Sequence, residues 1–143
     1  MVHHLKKYLV DNIDLLSYDR VFVDDETIGA GNEYTLMSHV GGKISTWQDF
    51  NSEASIQIIN VGENREPTRD LASRIALFIS DKCDFILANP FESINNVTNE
   101  LNGRIKVLSI INTSSPYMVE KNQRGYVFTH SYFIKYKHRV LEA

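Results

Sequence analysis

Asp24, Asp25 and Glu26 stand in a row shortly ahead of Gly29-Ala30-Gly31. Three carboxylates offer the hard oxygen donors that a divalent cation prefers. Two glycines one residue apart are the beginning of a phosphate-binding loop. Neither pattern is completed. The third glycine is missing, the acidic run would repel a phosphate, and the spaced ligand series of a dedicated calcium loop is absent. The segment therefore reads as a solvated acidic loop between two strands. The five histidines, His3, His4, His39, His130 and His138, are scattered. The adjacent His3 and His4 cannot face one metal from a helix, and no other pair has a metal-ligand spacing. The single Cys83 lies near a predicted helix end, but no local pattern ties it to a base and an orienting group, so it reads as a buried structural thiol. No catalytic constellation emerges from these residues.

The elements that would position such groups are clearer. In Ala54–Ile59 the residues alternate, with Ala54, Ile56 and Ile58 on one side and Ser55, Gln57 and Ile59 on the other, which predicts a strand with at least one buried face. The period then changes. Leu71, Ile75, Phe78 and Ile79, with Ala72 and Ala76 beside them, form one apolar helical face, while Arg69, Asp70, Ser73, Arg74 and Asp81 fall toward water. Pro67 suits the first turn of that helix. A first helix is predicted over Val2–Leu16, from the stripe Leu5, Leu9, Ile13 and Leu16, with Lys6, Lys7, Asp11 and Asp14 toward water. Short strands follow at Arg20–Asp24 and Tyr34–Val40, the second interrupted by Gly41-Gly42. After the central unit, Phe85–Leu101 has no clear period, and its Asn-rich part reads as a long surface connection with room for a short strand or a turn of helix. Arg104–Ile111 predicts a strand ended by Ser114-Ser115-Pro116. A polar loop through Glu120–Arg124 leads to a long last strand, Tyr126–Lys137. The expected fold class is α+β, a mostly antiparallel sheet flanked by two main helices in a single domain spanning residues 1–143.

The totals narrow the function classes. A chain of 143 residues has the size of one domain and can bury roughly 68–70% of its unfolded surface. A net charge of −3 and a pI near 5.9 argue against a protein that binds nucleic acid by neutralising phosphates. That also weighs against using the Tyr-rich last strand as a base-stacking platform. One cysteine excludes an intrachain disulfide framework and fits a reducing compartment. No apolar run approaches the ~20 residues of a membrane helix, and the N-terminal residues lack the apolar core of a signal peptide. Trp47 and Phe50, two large aromatics in an otherwise polar segment, are of the kind that either anchors a protein interface or packs onto the chain's own core. The loops at Asp24–Glu33 and Pro116–Arg124 are long for so small a domain.

Gly41-Gly42 with the polar segment after it, the stretch SIQIINVGENREPTRDLASRIALFI, and the C-terminal SSPYMVEKNQRGYVFTHSYFIKY carry a resemblance that covers nearly the whole length. In these features the chain resembles the tail terminator and minor capsid (head–tail joining, neck) proteins of long-tailed bacteriophages. The resemblance implies a virion structural protein with no catalysis and no cofactor. It further implies a ring, usually of six copies, that ends the tail tube on one side and meets the head connector on the other. The implied partners are other copies of itself, the tail-tube protein and the head-completion or connector protein, with genome DNA passing through the lumen. On this reading the candidate interface residues are Asp24, Asp25, Glu26, Trp47, Phe50, Glu120 and Arg124. A six-copy ring would carry a formal charge of about −18, and acidic loops lining its lumen would let DNA slide without sticking. The rival expectation is a small α+β enzyme or ligand-binding domain that uses the acidic loop for a metal.

Overall fold

The structure is a computed structural model that describes residues 1–24, 33–43, 51–80, 82–87, 105–122 and 125–138, with only the backbone described at 118–122 and 138. The order of elements is α1 (Val2–Asn12), a single 3-10 turn (Tyr18–Arg20), β1 (Val21–Val23), β2 (Tyr34–Lys43), β3 (Ser52–Gly62), α2 (Arg65–Ile79), β4 (Cys83–Leu87), β5 (Ile105–Asn122) and β6 (Gly125–His138). The six strands form one sheet in the spatial order β1-β2-β3-β6-β5-β4, antiparallel throughout except for β1 beside β2. This is the α+β architecture that the alternation of periods predicts.

Pleating decides which face is which. Ala54, Ile56 and Ile58 of β3 lie level with Ile134, Tyr132 and His130 of β6, and Met37 of β2 lies opposite Ile58. These side chains are buried together with Leu5 and Leu9 of α1 and Ala72, Ile75 and Ile79 of α2. Each fully buried aliphatic side chain contributes roughly 1.5–3 kcal/mol, so this helix-covered face holds most of the hydrophobic stabilisation. The opposite face carries the alternate residues. Phe22, Leu36 and Ile59 lie in one row across three strands, with Tyr34 beside Phe22 and Phe133 farther along the same face, and all five are half-buried.

Several local expectations change. The first helix stops at Asn12 rather than Leu16, because Ile13 is already extended. No basic residue stands in its last turn, and negative charge from Asp11 and Asp14 opposes the helix dipole there. Ile13 and Leu16 are buried all the same, Leu16 brought in by a turn that its N–H closes on the Ile13 carbonyl at 3.0 Å. Lys6 does not face water. It is buried, with its ammonium 5.1 Å from the centre of the Tyr18 ring, where its stem covers apolar surface and the charge meets a π face.

The glycine pair does not end β2. The strand continues to Lys43 across a bulge between His39 and Gly41. Gly42 has a φ of +124°, and a Cβ there would collide with the Glu53 backbone, so the strand continues because the residue is glycine. Nor do Ser114, Ser115 and Pro116 end β5, which runs on to Asn122. Register shifts between Asn112 and Ser114 and between Ser114 and Tyr117 place Pro116 in a bulge. Beyond Ile110 no other described strand pairs with β5 on the side away from β6, so the missing N–H forfeits no ladder bond. The segment after α2 does contain a strand, β4. Cys83 at its start is exposed rather than buried. The φ of +52° at Asp84 breaks the alternation that would otherwise put Cys83 on the same side as Phe85. Among the described residues no helix is long and apolar enough to cross a membrane.

Candidate functional site

Asn60 continues the buried side of β3 one step beyond Ile56 and Ile58, where the pattern calls for another apolar residue. Thr35 lies opposite it on β2, and His130 and Tyr132 follow one another on the same side of β6. All four are buried. They are joined by hydrogen bonds that run across three strands. Tyr132 Oη lies 2.6 Å from His130 Nδ1, His130 Nε2 lies 2.8 Å from Asn60 Oδ1, and Asn60 Nδ2 donates to Thr35 Oγ1 at 2.8 Å.

The order of donors follows from the amide. Its nitrogen is committed to Thr35, so its oxygen faces the ring, and Nε2 must carry the hydrogen. In a neutral ring Nδ1 is then the acceptor, and it receives the Tyr132 hydroxyl hydrogen. Burial keeps the ring neutral by pushing the His130 pKa from 6.5 down to about 4. Burial also raises the Tyr132 hydroxyl well above its ordinary range, and a hydrogen bond with the Asn112 side chain opposes that rise. The Asn112 amide in turn donates to the Ser114 and Ser131 carbonyls. The chain therefore ties β2, β3, β6 and β5 together. A one-residue slip of any of these strands would leave buried polar groups unpaired, at about 1–3 kcal/mol each. Chemically it is a lock. His130 and Tyr132 are closed off from solvent.

Of these four, Thr35 lines a cavity. A pocket of about 140 Å³ lies at the end of the sheet where β2 begins and β3 delivers the chain into α2. Leu15, Leu16, Val61 and Leu71 supply apolar walls, and Arg20 and Glu33 stand at its rim. Arg20 Nη1 donates to the Glu33 carbonyl at 3.4 Å. Thr68, also in the wall, donates its hydroxyl to the Asn64 carbonyl at 2.7 Å in the first turn of α2. Its side chain occupies the space above Gly62 that a Cβ would need.

The candidate interface residues fall unevenly on this frame. Asp24 is placed, and its carboxylate accepts the His39 N–H at 2.9 Å. That bond takes over from β1 where the short strand ends and β2 would otherwise present an unpaired donor. The residue expected to face a partner or a lumen thus has a structural task. Asp25, Glu26, Trp47, Phe50 and Arg124 lie outside the described residues, as do Gly29 and Gly31, and Glu120 is described in backbone only, paired with Val127 of β6. Among the described residues no three of His, Cys, Asp and Glu come together to hold a metal ion. Sequence reasoning missed the polar chain. The available signal was Asn60 and His130 at inward positions of two strands with period two. Comparison with protein-family models and with curated proteins finds no match for this chain.

Proposed function

We propose that the protein is a virion structural protein of a long-tailed bacteriophage, a non-catalytic ring that terminates the tail tube and joins it to the head connector. The observation that supports this most is the one-sided sheet. Two helices cover one face, while Phe22, Tyr34, Leu36, Ile59 and Phe133 on the other are only partly buried. Apolar area of this kind on a small domain marks a surface that another protein covers. The element order, one helix, three strands, a second helix and then further strands ending in a long one, also agrees with the order that the resemblance rests on. Partners on this reading are other copies of the chain, the tube protein and the connector protein, with DNA passing through the lumen. Asp24, Asp25 and Glu26 are the candidates for the lumen wall, Asp24 keeping an exposed carboxylate while it accepts the His39 N–H.

The test is native mass across protein concentration, alone and with isolated tail-tube ends. The expected result is a discrete closed oligomer, formed in solution or on the tube. A protein that stays monomeric and ignores tube ends, or one that turns over a small molecule, would overturn the proposal.

A further inference from the structure

We infer that the pocket at the start of α2 is filled by Leu77 of a second copy of this chain. Leu77 is 82% exposed on α2, the most exposed large hydrophobic residue among those described. Asp70, Arg74 and Leu77 are spaced i, i+4 and i+7, so they form one ridge along the outer side of the helix. The pocket supplies the counterpart of each. Its 140 Å³ is close to a cavity that takes one benzene-sized apolar group, and an isobutyl group fits within that. Leu15 at its wall is itself 61% exposed, so an incoming leucine removes two exposed hydrophobic side chains from water at once.

The rim matches the ridge in charge. Arg74, one turn from Leu77, meets Glu33, and Asp70, a further turn away, meets Arg20. Asp70 and Arg74 are separated by about 6 Å along the helix axis, and Arg20 and Glu33 are neighbours through their hydrogen bond. The match has a direction. The pocket takes in Pro67, Thr68 and Leu71 at the beginning of α2, whereas Leu77 lies toward its end. Knob and hole are therefore different patches of one helix. Where the neighbour does not reciprocate, a copy that fills one hole leaves its own open, a head-to-tail contact that makes a ring when its rotation closes. A reciprocal contact makes a two-fold dimer instead, and the sedimenting mass distinguishes the two. The inference deepens the ring proposal and rests on it for the number of copies joined, while the contact itself is testable alone.

Sedimentation velocity of the full chain, as wild type, Leu77→Asp, Arg74→Glu and the charge swap Arg74→Glu/Glu33→Arg, decides it. All of these side chains are exposed, so each variant should keep the wild-type circular dichroism and melting curve. Wild type should associate. Leu77→Asp should weaken association about tenfold or more, Arg74→Glu should weaken it less, and the swap should recover most of that loss. A photo-crosslinking residue at position 77 should label Leu15, Arg20 or Tyr34 of another copy. Association that is indifferent to Leu77→Asp, or crosslinks elsewhere, would overturn the contact and leave the ring standing on another interface. A wild type that is monomeric at every concentration would also overturn it, and tube-end binding would then judge the ring separately.

Discussion

The two long neighbours of β6 show how differently a sheet can be specified. On one side β3 pairs with it from Ser52 to Gly62 without a single shift. On the other, β5 spans 18 residues against the 14 of β6, and the surplus is absorbed at four register shifts. The difference follows from what each strand buries. Every second residue of β3 from Ser52 to Asn60 is buried, and Asn60 is bonded on both sides, so a slip would expose the core and break the polar chain together. Past Ile110, where three of the four shifts fall, β5 offers Asn112, Thr113, Ser114, Ser115 and Pro116, of which Asn112 is tied in through its amide on the Ser114 and Ser131 carbonyls. Little apolar burial there penalises an extra residue, and the strand takes up bulges that bend it. The fourth shift, between Val107 and Ser109, lies within the buried part of β5, so burial alone does not hold register, whereas β3 combines burial with a side chain bonded on both sides.

That comparison can be broken most sharply by truncation. Ile56→Ala, in the middle of β3, should destabilise by about 3–4 kcal/mol, whereas Ile111→Ala, half-exposed on β5, should cost under about 1 kcal/mol. Urea denaturation of both variants checks the ratio, and equal losses would refute the contrast.

Acid tests the lock next. The His130 imidazole takes up a proton near pH 6.5 in the unfolded chain and only near pH 4 in the folded one. Between these values the unfolded state binds more protons, so stability falls as pH falls. The contribution is whole above 6.5 and gone by 4, a loss of about 3 kcal/mol at most. His130→Gln should flatten that window, though at the cost of a lower stability at neutral pH.

Gly62→Ala should lose about 2 kcal/mol, because the new methyl displaces Thr68 and strains the first turn of α2. Thermal melting measures it, and the same variant should narrow the pocket. The smallest effect is expected at Pro116→Ala, within about 0.5 kcal/mol. A larger loss there would mean that β5 is held by more than its pairing with β6.

The sequence-level reading succeeds and fails along the same line. The alternation in β3 and β6 and the stripe of α2 are dictated by burial, so they can be read without coordinates. Ile13 and Leu16 show the limit: their spacing correctly signals that they are buried, yet a turn rather than a helix joins them, because spacing reports which side chains are inside and not the backbone that takes them there. Pro116 and Gly41-Gly42 look like strand ends because both residue types break ordinary pairing, and a bulge removes the objection in each case. The polar chain was hidden for another reason. Asn60 and His130 become partners only when strands 70 residues apart are aligned, and no local pattern carries that alignment. At the candidate interface, Asp24 reads as one of three equivalent carboxylates, and only the sheet edge beside it reveals its separate task.

The spatial order of the strands has a consequence for the chain as it is made. β3 sits in the middle of the sheet, but its neighbour β6 is translated only after α2, β4 and β5 have emerged. Until then Ile56 and Ile58 belong to a strand with one side unclosed, and closing it requires a contact that spans about half of the molecule. Such long-range pairing is slow relative to local helix formation. A nascent or refolding chain thus passes through a period in which this strand is open to strands of other chains. Folding yield should accordingly fall with concentration more steeply than the stability of the finished protein would suggest.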